Sequence, residues 1–199
     1  MQIPTASGTL EANFHHQQPA GDESRSVAIL CHPHPQYGGS MHDLVIDQAA
    51  QCFPSHLRFN FRGVGASSGS FDAGVGEVQD VVCAWDWAMG QASWGERVLV
   101  GYSFGAAMAW RAQQLCDGID RLILIAPPSA SMEFTPATQA EPATLAPEVS
   151  VIAGSQDAYF SATNLPQTLQ PVIIEGADHF FTDKHDELTS ALRGLSTKT

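Results

Sequence analysis

The chain is short of positive charge. Its 199 residues include nine Lys and Arg against 21 Asp and Glu, for a formal net charge of −12, and the basic residues form no cluster. A protein that neutralises phosphates needs a basic patch, so no nucleic-acid partner is expected, and anionic membrane surfaces are disfavoured on the same ground. No apolar run approaches the roughly 18–20 residues of a membrane span, so no membrane partner is expected either. The opening residues Met1 to Thr5 lack the basic-then-apolar pattern of a signal peptide. Cys31, Cys52, Cys83 and Cys116 are well separated and form no C-x-x-C pair; free thiols, mostly buried, are expected. These absences together point to the cytoplasm. The chain also lacks internal repeats and any convincing boundary, and its length suits one domain covering residues 1–199.

What the sequence does contain is a regular succession of short apolar runs. Val27–Cys31, Leu57–Phe61, Val98–Gly101, Leu122–Ala126, Val149–Ala153 and Val172–Ile174 are bounded by Gly, Pro or polar residues, and read as strands buried on both faces. Thr9–His15 alternates more and reads as an edge strand. Helical spacing lies between the runs, over Met41–Cys52, Val75–Met89, Phe104–Cys116 and Asp183–Arg193. In the second of these, Val78, Val81, Val82, Trp85 and Met89 form the apolar stripe, with Glu77, Asp80 and Asp86 mostly elsewhere. Strands alternating with helices predict a mainly parallel α/β sheet of about seven strands with helices on both faces. Pro127–Pro147 reads as a long loop, too short for a cap domain. Trp85, Trp87, Trp94 and Trp110 are expected to pack the core, and Arg62 to bond turn carbonyls.

The chemistry starts at Gly101-Tyr102-Ser103-Phe104-Gly105, which follows one predicted strand and opens a predicted helix. That context makes G-x-S-x-G a nucleophile elbow, with Ser103 on a strained turn and flanking glycines removing the Cβ atoms that would collide there. A serine hydroxyl needs a base. His179, just past Val172–Ile174, lies at the carboxyl end of a strand, where α/β sheets gather functional groups. Asp157, on the turn after Val149–Ala153, completes the order Ser…Asp…His; Glu133 is the rival acid, while Asp178 is too close in sequence to bond His179 easily. Oxyanion donors are expected from the backbone of Phe104 and from the His32–Ser40 loop. Pro33 and Pro35 have no N–H, which leaves His34, the preferred candidate, or a residue from Gln36 onward.

His32-Pro33-His34-Pro35…Gly38-Gly39, Asn60-Phe61-Arg62-Gly63-Val64-Gly65-Ala66-Ser67, Gly101–Gly105, Gly154–Asp157 and Asp178–Phe180 occur in the order found in a known family. The chain resembles small lidless bacterial α/β-hydrolases related to dienelactone hydrolase-like serine esterases, over roughly Val27 to Phe181. The resemblance implies the α/β-hydrolase fold, a triad of Ser103, Asp157 and His179, an oxyanion donor from the H-P-H-P loop, no cofactor, and hydrolysis of carboxylic esters or similar acyl compounds. Many relatives carry His-Gly where this chain has His32-Pro33, which keeps the identity of the second donor open.

The same residues are open to two other classes. His32-x-His34 at a strand end could begin a metal-dependent hydrolase site, but no further ligands are identifiable by spacing. A non-catalytic binding protein on the same fold has no physical need for all three triad groups. Gly63-x-Gly65 lacks the third glycine of a dinucleotide fingerprint, since position 68 is Ser68, and reads as a tight turn. With no room for a cap, an open pocket for a small-molecule acyl substrate is expected, lined by Tyr37, Phe104, Met132, Phe134, Tyr159 and Phe180.

Overall fold

The computed structural model describes residues 1–17, 26–130 and 147–196. Eight strands form one sheet in the order β1-β2-β4-β3-β5-β6-β7-β8: β1 Gln2–Thr5, β2 Gly8–His15, β3 Ser26–Cys31, β4 His56–Phe59, β5 Glu96–Tyr102, β6 Arg121–Ile125, β7 Glu148–Gly154 and β8 Val172–Ile174. The pairings β1–β2 and β2–β4 are antiparallel, and those from β4 through β8 are parallel. Among the described residues four α-helices complete the frame: α1 Leu44–Ala50, α2 Gly76–Met89, α3 Phe104–Ala112 and α4 His185–Ser196. The architecture is that of an α/β-hydrolase, and among the described residues nothing forms a cap. No helix among them is long and apolar enough to cross a membrane.

The apolar runs became strands because helices cover both faces of the sheet, as a parallel arrangement requires. On one face α2 and α3 pack with Ile29, Leu99 and Leu122; on the other, α1 and α4 enclose Leu30, Val100 and Ile123. Successive residues of one strand thus point into two different cores. The alanines of α3 let it lie directly on the strands: Ala106, Ala109 and Ala112 have no exposure at all. All four tryptophans are buried in or packed against the first core.

Three expectations need correction. The sheet has eight strands rather than about seven, because Gln2–Thr5 turns back on β2 as a hairpin; four residues with one buried apolar side chain, Ile3, carry almost no periodic signal. β2 is consequently not an edge strand, being flanked by β1 and β4. Glu77 and Asp80 of α2, off its apolar stripe, are nonetheless buried. Glu77 accepts the N–H groups of Asp72 and Gly74, and Asp80 accepts the backbone N–H and guanidinium of Arg62. Arg62 therefore bonds a carboxylate rather than turn carbonyls, and this pair holds its guanidinium above the usual range. Buried acids paid this way obey the rule that buried charge is paired or hydrogen-bonded.

The Asn60–Ser67 stretch is a structural junction. Asn60 accepts the Met41 N–H and donates to Glu11, whose carboxylate also takes the Ala66 N–H. Gly63 and Gly65 hold φ of 75° and 56°, the left-handed conformation of a tight turn.

Candidate active site

The parallel strands end on one side of the sheet, and the chemistry collects there. β5 ends at Tyr102 and α3 begins at Phe104, so Ser103 alone makes the turn, at φ 53° and ψ −117°. Such a backbone is costly for a residue with a Cβ and persists only where its surroundings enforce it. The neighbouring glycines make the turn possible. A Cβ on Gly101 would lie 2.3 Å from the Gly105 oxygen, and one on Gly105 would lie 2.1 Å from the Cys31 oxygen.

β7 and β8 place the other two groups. The turn after β7 is tied to the turn after β8 by Ser155 N–H to Ile174 O and Gln156 N–H to Ala177 O. Asp157 and His179 thereby face each other. Asp157 Oδ2 lies 2.8 Å from His179 Nδ1, and His179 Nε2 lies 2.9 Å from Ser103 Oγ. The Asp157 carboxylate is fully buried and the His179 ring nearly so. Tyr102 Oη donates to the His179 carbonyl at 3.1 Å, which pins the histidine loop to the strand that carries Ser103.

The loop entry is anchored by adjacent aromatics that diverge. Phe181 is completely buried in the second core, whereas Phe180 is 63% exposed and packs its edge on His179. Asp178 is not a rival acid: its Oδ1 accepts the N–H groups of Phe180 and Thr182, which holds its carboxyl below the usual range. Glu133, Met132 and Phe134 lie outside the described residues.

His34 and Phe104 come together beside Ser103. Their rings are 4.9 Å apart, and both residues line one cavity with Ser103 and His179. Neither backbone N–H has an acceptor among the described residues. The loop curls tightly because Gly39 N–H and Tyr37 N–H both donate to the His34 carbonyl.

His32 belongs to the frame. It is fully buried; its Nε2 accepts the Phe61 N–H at 3.0 Å, and its Nδ1 donates to the Pro33 carbonyl at 2.6 Å. Burial lowers its pKa to about 4, so the ring is neutral. With both nitrogens engaged, His32 cannot pair with His34 as a metal ligand, and that reading loses its first ligand.

Residues 28–196 match the α/β hydrolase family. The chain belongs to that family. Its relatives include an uncharacterised protein of Rickettsia prowazekii, 31% identical over 183 residues that cover 83% of this chain and 76% of that protein. A serine hydrolase without a lid from Xanthomonas campestris superposes with a TM-score of 0.84 at 31% identity, covering 98% of this chain and 91% of that one. A serine hydrolase homologue from Coxiella burnetii does so with the same score and identity, over 98% and 95%.

The cavity of this α/β hydrolase has a volume of about 400 Å³. Of the expected lining, Tyr37, Phe104, Tyr159 and Phe180 are there. Sequence reasoning missed Asp43, Tyr102 and Pro128. Asp43 had a legible signal, since its side chain accepts the Val45 N–H as the N-cap of α1. The helical periodicity over Met41–Cys52 overran that cap and concealed it.

Proposed function

We propose that the chain is a serine hydrolase that cleaves carboxylic esters or related acyl compounds through a Ser103–His179–Asp157 triad. The observation that carries the reading is the hydrogen-bonded line from Ser103 Oγ through both nitrogens of His179 to Asp157, at 2.9 and 2.8 Å. Asp157 fixes the tautomer, so that His179 presents an unprotonated Nε2 to the serine hydroxyl. Ser103 attacks the acyl carbon while His179 takes its proton. The tetrahedral oxyanion lies against the Phe104 and His34 amides and the N-terminus of α3. The protonated His179 then gives its proton to the leaving group, and water repeats the sequence on the acyl-enzyme.

The open cavity, with Tyr37, Tyr159 and Phe180 at its rim, favours small or short-acyl substrates. The four free cysteines support a reducing compartment such as the cytoplasm.

The test is a panel of p-nitrophenyl esters with Ser103→Ala as control. Acetate or butyrate should turn over faster than palmitate, and Ser103→Ala should nearly abolish turnover. A clear preference for palmitate would overturn the short-acyl reading; unchanged turnover in Ser103→Ala would overturn the mechanism.

A further inference from the structure

Burial raises the Asp43 carboxyl, against the Val45 N–H that it accepts as the cap of α1, and among the described residues it is the only acid lining the cavity around Ser103, where no Lys or Arg stands. Asp157 and Asp178 stand behind it: with Asp43, both act electrostatically on the hydroxyl of Tyr102, itself a lining residue. Of the cavity's two imidazoles, His34 is held below its usual pKa by burial. The basic group facing Asp43 from outside the cavity is His185 at the start of α4, bonded to Gln48.

The rim is aromatic and open to solvent. Tyr37 is 87% exposed, Tyr159 53% and Phe180 63%. Tyr37 rests against His34 at 4.7 Å, and Tyr159 and Phe180 flank His179 at 4.8 and 5.3 Å. Aromatic faces attract cations through the ring quadrupole, and quaternary ammonium ligands are recognised in this way. The field of a molecule with net charge −12 acts in the same direction.

We infer that this site selects acyl substrates bearing an ammonium group over neutral isosteres and over substrates bearing a carboxylate, with Asp43 and the Tyr37–Tyr159–Phe180 rim as the selecting groups. The inference rests on the hydrolase reading for the position of the acyl group but not for the binding of the cation. Asp43 is a specificity residue here, and its capping of α1 is a separate structural role. Asn caps a helix as well as Asp does, so Asp43→Asn removes the charge while the cap is kept.

The experiment compares acetylcholine with 3,3-dimethylbutyl acetate, which has the same shape with carbon in place of the charged nitrogen, and with monoethyl succinate. Binding is measured by titration calorimetry on Ser103→Ala protein, where no turnover interferes, and kcat/KM is measured on the unsubstituted protein. Acetylcholine should bind about tenfold more tightly than its neutral isostere, and monoethyl succinate more weakly than either. In Ser103→Ala/Asp43→Asn the ratio of acetylcholine to isostere should fall several-fold. Equal binding of the isosteric pair would overturn the inference, and so would a ratio that Asp43→Asn leaves unchanged. If none of the esters turns over while the binding ratio holds, the hydrolase reading fails and this one stands; if the neutral ester is cleaved through Ser103 but the binding ratio is one, the reverse is true.

Discussion

Ser103 occupies a backbone conformation that non-glycine residues avoid, and its side chain stands within hydrogen-bond distance of a histidine whose other nitrogen meets a buried carboxylate. Each group has a separate consequence. Ser103→Ala and His179→Ala should each nearly abolish ester turnover in a steady-state assay with folding confirmed by circular dichroism. Asp157→Asn should leave the geometry intact but lower kcat by on the order of 10⁴, as in other triads, because the wrong tautomer is stabilised. If Glu133→Gln has the larger effect, Asp157 is not the orienting acid. The three residue types were legible in the sequence from their order and from the strand ends they follow. Tyr102 was not, because a strand-end tyrosine is an ordinary feature until the fold shows what it faces, and the cap signal of Asp43 was overrun by the helical periodicity around it. The structural role of His32 was hidden likewise: H-x-H looks alike whether the first ring holds a metal or bridges two strand ends.

The elements position these groups through a few close contacts. At the elbow, a Cβ at Gly105 would approach the Cys31 oxygen to 2.1 Å, so Gly105→Ala must push α3 away from the end of β3. It should reduce turnover by far more than it reduces secondary structure; wild-type kcat/KM in Gly105→Ala would contradict this account of the turn. The histidine loop depends on Phe181, fully buried among α1 and α4. Phe181→Ala should cost about 3–5 kcal/mol of stability in urea unfolding and lower activity as the loop loosens; a loss below about 1 kcal/mol would mean that the loop is held elsewhere. Seven of the eight strands and all four helices could be read in advance, because continuous apolar runs and 3.6-residue periodicity are strong signals. The β1 strand could not, since its stability comes from pairing with β2 rather than from its own pattern. The burial of the α2 acids was not legible for a related reason: helical periodicity places Glu77 and Asp80 off the apolar stripe but cannot show the partners they find in the preceding loop.

At the scale of the whole molecule, buried neutral histidines link stability to pH. His32 is held at about 4 by burial, while the unfolded chain takes up the proton near pH 6.5. The native state therefore binds fewer protons than the unfolded state between those values, and its stability is full above about pH 6.5 and declines as pH falls toward 4. His32 alone accounts for about 3 kcal/mol over that window, and burial moves His34 and His56 in the same direction. Urea unfolding at pH 7.5 and pH 4.5 should show the loss, and the His32 ring resonances should stay those of the neutral form at pH 5; a midpoint near 6.5 for that ring would contradict the buried bridge between Phe61 and Pro33. Catalysis by this site turns on one hydroxyl being both activated and accessible. Its most direct measurement is intact-mass spectrometry after exposure to a fluorophosphonate, followed by peptide mapping. One adduct per chain, located on Ser103 and absent in both Ser103→Ala and His179→Ala, is the predicted result; no adduct, or an adduct that persists in Ser103→Ala, would contradict it.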